Sequence, residues 1–211
     1  MSTSIRSWGE QKNFNIRWAR LIILFLWAIY TALQILFLDQ PIVDLIGFLS
    51  GIVAILVLLA SGFSLADCYL KWSLISKKGL FLYIAIVILW LGIVLPTGGN
   101  PHWDWQSLFI FAPATSVAQE IFFRSALLPT LILACKGNFR HGLLLHSILF
   151  GIWHMGVFTT NAPIGAAFFV VLVPTLISLA WGWQVHRDGT VVWAILQHTI
   201  LQIIMRLFTW G

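Results

Sequence analysis

The feature that most constrains this chain is its succession of apolar runs. Several reach the roughly 20 residues that carry a helix across the hydrocarbon core of a bilayer. Hydrophobic residues make up 60% of the 211 positions and charged residues 9%. The mean hydropathy is +0.93. No soluble domain of this size needs so much apolar surface. The expectation is an all-α, multi-pass membrane protein: one continuous bundle of about seven transmembrane helices.

The runs place helices at about 21–37, 42–63, 80–94, 106–135, 142–159, 164–183 and 190–208. The third run closes on LPTGGNP, a Pro- and Gly-rich breaker. Pro113, Pro129 and Pro174 lie inside runs, which membrane helices tolerate where neighbours satisfy the freed carbonyls. Residues 1–17 read as a basic cytoplasmic tail with Arg6, Lys12 and Arg17. The first run is long and no small-residue cleavage site follows it, so it reads as an uncleaved helix. Lys71, Lys77, Lys78, Lys136, Arg140 and Arg187 fall in alternate connections, whereas segments 38–41, 95–105 and 160–163 contain neither Lys nor Arg. That asymmetry predicts a cytoplasmic N-terminus and a cell inner membrane location. It also accounts for the net charge of +5 without a nucleic-acid partner. Cys68 and Cys135 form neither a disulfide framework nor a metal spacing.

Ionisable groups inside membrane helices are costly and mark functional sites. Residues 118–130, AQEIFFRSALLPT, put Gln119, Glu120 and Arg124 inside one run. At 1.5 Å per residue, Glu120, His154 and His198 lie roughly 22, 18 and 12 Å from the cytoplasmic ends of their helices. Three helices thus bring ionisable groups to a similar depth. Glu120 and Arg124 stand at i and i+4, in the favourable order for an intrahelical pair. A carboxylate committed to an arginine is a poor base. Gln119, about 100° further round the helix, is free to face a cavity. His146 lies two i+4 steps before His154, on the same stripe, where helix packing is the expected role. His141 and His186 fall in basic loops. His102, Trp103 and Trp105 read as an interfacial aromatic anchor.

These motifs resemble those of the CPBP family, the CaaX-protease and bacteriocin-processing intramembrane proteases. QEIFFR is similar to the family's EExxxR motif. FGIWH, Phe150 to His154, matches its FxxxH motif. HTILQ, His198 to Gln202, resembles its third motif, a His followed four residues later by Asn or Asp. The resemblance covers residues 103–211, beyond the helices of 18–102. It implies an endopeptidase that activates water against a peptide bond near a membrane-embedded or lipidated end of a protein or peptide. It also implies that His154 helps to activate that water, that His198 donates to the oxyanion, and that Arg124, Glu120 and Phe150 support them.

Two positions depart from the pattern. Gln119 stands where the family has its catalytic Glu, and a neutral amide orients a water without taking its proton. Gln202 replaces Asn or Asp but keeps an amide donor. A catalytically inactive membrane scaffold or binding protein is therefore the alternative to a protease. No cofactor is expected. Glu120, His154 and His198 could in principle form a two-His, one-carboxylate zinc site, but Arg124 one turn away disfavours a second cation.

Overall fold

The computed structural model describes residues 14–37, 40–97, 101 and 103–208. The expectations for Arg6, Lys12 and His102 lie outside the described residues. Among the described residues seven helical rods follow one another: α1 (Phe14–Leu36), α2 (Pro41–Ala60), α3 (Lys77–Thr97), α4 (Ser107–Ala134), α5 (Phe139–Thr159), α6 (Ile164–Asp188) and α7 (Val192–Leu207). Six are long and apolar enough to cross a membrane, and α7, with 16 residues, is shorter. The all-helical, multi-pass architecture matches the expectation. The first helix begins within the stretch expected as a tail. Its buried Ile16, Ala19 and Ile23 repeat at helical spacing, so packing carries the helix back past Arg17.

The fourth helix is the axis of the bundle. Buried residues make up 78% of its most apolar window, against 17–44% in the other five long helices. Small residues let α2 approach it. A Cβ at Gly51 would lie 3.0 Å from Ile121 Cγ2 and 3.2 Å from the Phe122 nitrogen. Buried Gly47, Ser50, Gly51 and Ala54 continue that stripe along α2, in the manner of small-residue packing between membrane helices. Tyr30 of α1 packs edge-on to Phe122, with ring centroids 5.5 Å apart.

Two π-helical stretches widen α4, Ser107–Phe111 and Ile121–Leu127. Each ends two residues before a proline, Pro113 or Pro129. Proline lacks an N–H and its ring clashes with the carbonyl of the preceding turn, and a widened turn relieves both. Single π turns inside α-helices concentrate at functional sites. Here the second stretch starts directly after Glu120. A tight turn through Lys136 (φ 55°) and Gly137 (φ 80°) then leads to α5. The Asn138 side chain caps α5 by accepting from the His141 N–H at 3.2 Å. The returning helix lies close, since a Cβ at Gly142 would sit 2.7 Å from Ile132 Cα.

The basic connections gather at one end. Leu70 pairs with Thr190 in an isolated antiparallel bridge. The Val191 N–H donates to the Tyr69 carbonyl at 2.9 Å, and Trp193 Nε1 donates to the Ser73 carbonyl at 3.0 Å. Phe139 stacks on His186 with ring centroids 3.9 Å apart. The loop between α2 and α3 is thereby fastened to the α6–α7 turn, and α5 to the end of α6. Cys68 and Cys135 are free thiols at this same end.

Candidate active site

Glu120 is the hub of the site. It is fully buried, as is Arg124 one turn on. The Arg124 Nε lies 3.1 Å from Glu120 Oε2, so the i, i+4 pair expected from the sequence is present. The guanidinium spreads over the Phe150 ring at 4.2 Å and towards Trp181 at 5.3 Å. A desolvated cation on aromatic faces gains about 2 kcal/mol. The other Glu120 oxygen faces α7, where Oε1 accepts a hydrogen bond from His198 Nδ1 at 2.8 Å. Glu120 is therefore more than an internal strut: it joins α4 to α7.

That contact fixes the His198 tautomer. A carboxylate only accepts, so Nδ1 carries the proton and the neutral ring presents a lone pair at Nε2. The Nε2 faces the Gln202 amide nitrogen, 3.5 Å away. This contact is long for a hydrogen bond, so the amide is free to turn to another acceptor. Trp181 lies against the His198 ring, with centroids 4.8 Å apart.

His154 obeys the same logic. It sits where α5 tightens into the 3₁₀ turn His154–Thr159. Its Nδ1 is 2.8 Å from the Phe150 carbonyl oxygen. A carbonyl only accepts, so Nδ1 again donates and Nε2 again offers a lone pair. Phe150 therefore serves twice: its ring carries Arg124 and its carbonyl sets the imidazole. His154 lies within electrostatic reach of both His198 and Arg124. Gln119 is 4% exposed, and its Oε1 has no hydrogen-bond partner. An unpaired buried carbonyl oxygen is a ready acceptor for a water.

One Glu120 oxygen is engaged by Arg124 and the other by His198. Among the described residues, no three His, Cys, Asp or Glu side chains group as a metal ion would need. His146 is a core residue, its Nδ1 3.3 Å from Ser178 Oγ and its ring edge-on to Phe123.

Two supporting residues escaped the sequence reading. Trp181 touches both Arg124 and His198. Its Nε1 donates to Gln197 Oε1, and Gln197 Nε2 donates to the Tyr83 carbonyl at 2.7 Å. The chain from α3 through α7 and α6 thus holds the wall on which His198 rests. One of twelve tryptophans gives no signal. Gln197, a polar residue next to His198 in an apolar helix, could have been found.

Residues 101–204 match the family model described as Type II CAAX prenyl endopeptidase Rce1-like. No curated protein and no solved structure matches the chain. The matched stretch holds all three motifs and every residue of the hub, including Trp181 and Gln197. Through these C-terminal helices, the chain is similar to the Rce1-like CPBP family of CAAX-type intramembrane endopeptidases.

Proposed function

We propose that this protein is an active intramembrane endopeptidase in which His198, backed by Glu120, takes the base role that Gln119 cannot fill. The observation that carries this reading is the 2.8 Å contact between Glu120 and His198 Nδ1. A carboxylate behind an imidazole orients the ring and stabilises the imidazolium that forms when Nε2 takes a proton. His154 has only a carbonyl behind it, so its role is to accept a hydrogen bond from the water rather than to take the proton.

The steps follow from these roles. A water hydrogen-bonded to His154 Nε2 or Gln119 Oε1 gives a proton to His198 Nε2 as its oxygen bonds to the scissile carbonyl carbon. The carbonyl π pair moves to oxygen, where the Gln202 amide N–H donates to it. As the C–N bond breaks, the His198 Nε2 proton passes to the leaving nitrogen. A carboxyl end and an amine end result, and the imidazole returns to neutrality. The substrate class is a protein or peptide whose cleaved bond lies near a membrane-embedded or lipidated end. The basic end of the bundle faces the cytoplasm, in the cell inner membrane, in keeping with the charge asymmetry of the loops.

The test compares protein termini in the native host among wild type, deletion, His154→Ala, His198→Gln and the double variant Gln119→Glu/His198→Gln. Termini present in wild type, absent in the deletion and His198→Gln, and partly restored in the double variant support the reading. Restoration separates a lost base from a lost fold. If wild type and deletion have the same termini while the protein is in the membrane, it is a scaffold rather than a protease. If His198→Gln keeps full activity, the base lies elsewhere.

A further inference from the structure

At the basic end, away from the catalytic hub, α3 and α6 enclose an open groove of about 380 Å³. Its walls are Lys77, Lys78, Phe81, Leu82 and Trp183. The two lysines open α3 and the apolar residues lie one turn deeper, so the groove is cationic at its mouth and apolar along its length. A third cation completes the mouth: the Arg187 guanidinium lies over the Trp183 ring at 5.2 Å, and its Nε donates to Ser76 Oγ at 3.1 Å. One carboxylate stands nearby. Asp188 lies 3.9 Å from Arg187, but its side chain is turned inward and 1% exposed, leaving the mouth net positive.

The depth of the groove is set by its neighbours. Trp72 of the adjoining loop and Trp193 in the first turn of α7 lie together, ring centroids 5.7 Å apart. Leu74 and Phe81 are 80% and 75% exposed. Tryptophans at the end of a span and apolar side chains just inside it mark the headgroup boundary. Basic pockets between membrane helices at this level take anionic headgroups.

We propose that this groove is a binding site for one anionic phospholipid of the surrounding bilayer. The phosphate sits between Lys77 and Lys78, and an acyl chain runs along Phe81, Leu82 and Trp183. Charge complementarity selects the headgroup, and the apolar floor selects a lipid over a free anion. None of its lining residues belongs to the hub.

The experiment is native mass spectrometry of the detergent-purified, delipidated protein, titrated with phosphatidylglycerol or phosphatidylcholine. Each lysine near an anionic headgroup contributes about 1 kcal/mol, so Lys77→Gln/Lys78→Gln should weaken phosphatidylglycerol binding on the order of thirtyfold. Lys77→Arg/Lys78→Arg should restore it, and phosphatidylcholine should be little affected throughout. Leu82→Trp, which fills the groove and keeps the lysines, should also weaken binding. Equal binding of the two lipids, or full phosphatidylglycerol affinity in the glutamine variant, overturns the proposal. Loss on removing the lysines with none on filling the groove also overturns it, since that is adsorption to charge alone.

Discussion

Replacing Glu120 by Leu should be among the most destabilising substitutions in the chain. It leaves the Arg124 guanidinium fully buried with no anion and leaves His198 Nδ1 without its acceptor. Breaking one partner of a buried ion pair costs about 3–5 kcal/mol. For a chain of this length each kcal/mol moves the melting temperature by about 2–4 °C, so the expected loss is about 6–20 °C. Arg124→Met alone removes the cation but leaves the carboxylate its His198 hydrogen bond, so its loss should be smaller. The double variant Glu120→Leu/Arg124→Met removes both charges. Buried pairs replaced by apolar residues of similar size are often neutral or better, so it should recover most of the loss. Intrinsic tryptophan fluorescence during heating in detergent reads all four proteins. A Glu120→Leu variant within about 2 °C of wild type would sink the argument. So would a double variant whose loss equals the sum of the two singles.

Other expectations follow from neighbouring contacts. Phe150→Leu removes the ring under Arg124 but not the backbone carbonyl that holds His154. It should cost about 2 kcal/mol of stability while His154→Ala leaves stability nearer to wild type, as paired melting curves will reveal. Gly142→Ala drives a Cβ to 2.7 Å from Ile132 Cα, and overpacking of that kind costs about 1–3 kcal/mol. It should lower both the melting temperature and the yield in the membrane. Burial, and then the Asp67 carboxylate beside it, push the Cys68 thiol up to about 12. Its thiolate is scarce at pH 8, so maleimide should modify Cys135 alone in the folded protein and both thiols after denaturation, counted by intact mass.

The helices and half of the hub were legible in the sequence because both are local. An apolar run of 20 residues and an i, i+4 Glu–Arg pair are set by the geometry of one helix. The FxxxH spacing likewise anticipated that Phe150 lies beside His154, one turn apart. The contact between Glu120 and His198 was not legible. It joins residues 78 apart on α4 and α7, and apolar periodicity does not say which faces of two membrane helices meet. The π turns of α4 went unread too. Pro113 and Pro129 announced a disturbance, but the sequence alone does not distinguish a kink from a widened turn.

Gln119 invites the view that the site is a relic, and the chemistry of the hub bears on that view. A buried Glu–Arg–His cluster is a poor way to stabilise a bundle, because apolar residues of the same volume often do as well or better. Its members constrain one another, so no single change removes the cluster cheaply. Of the two positions that differ from the family pattern, Gln119 lies outside that constraint: its Oε1 has no partner, and its replacement strands no charge. The cluster still determines which His198 nitrogen carries the proton and which stays free. In the proposed mechanism that free lone pair, on His198 Nε2, stands in for the carboxylate that Gln119 replaces.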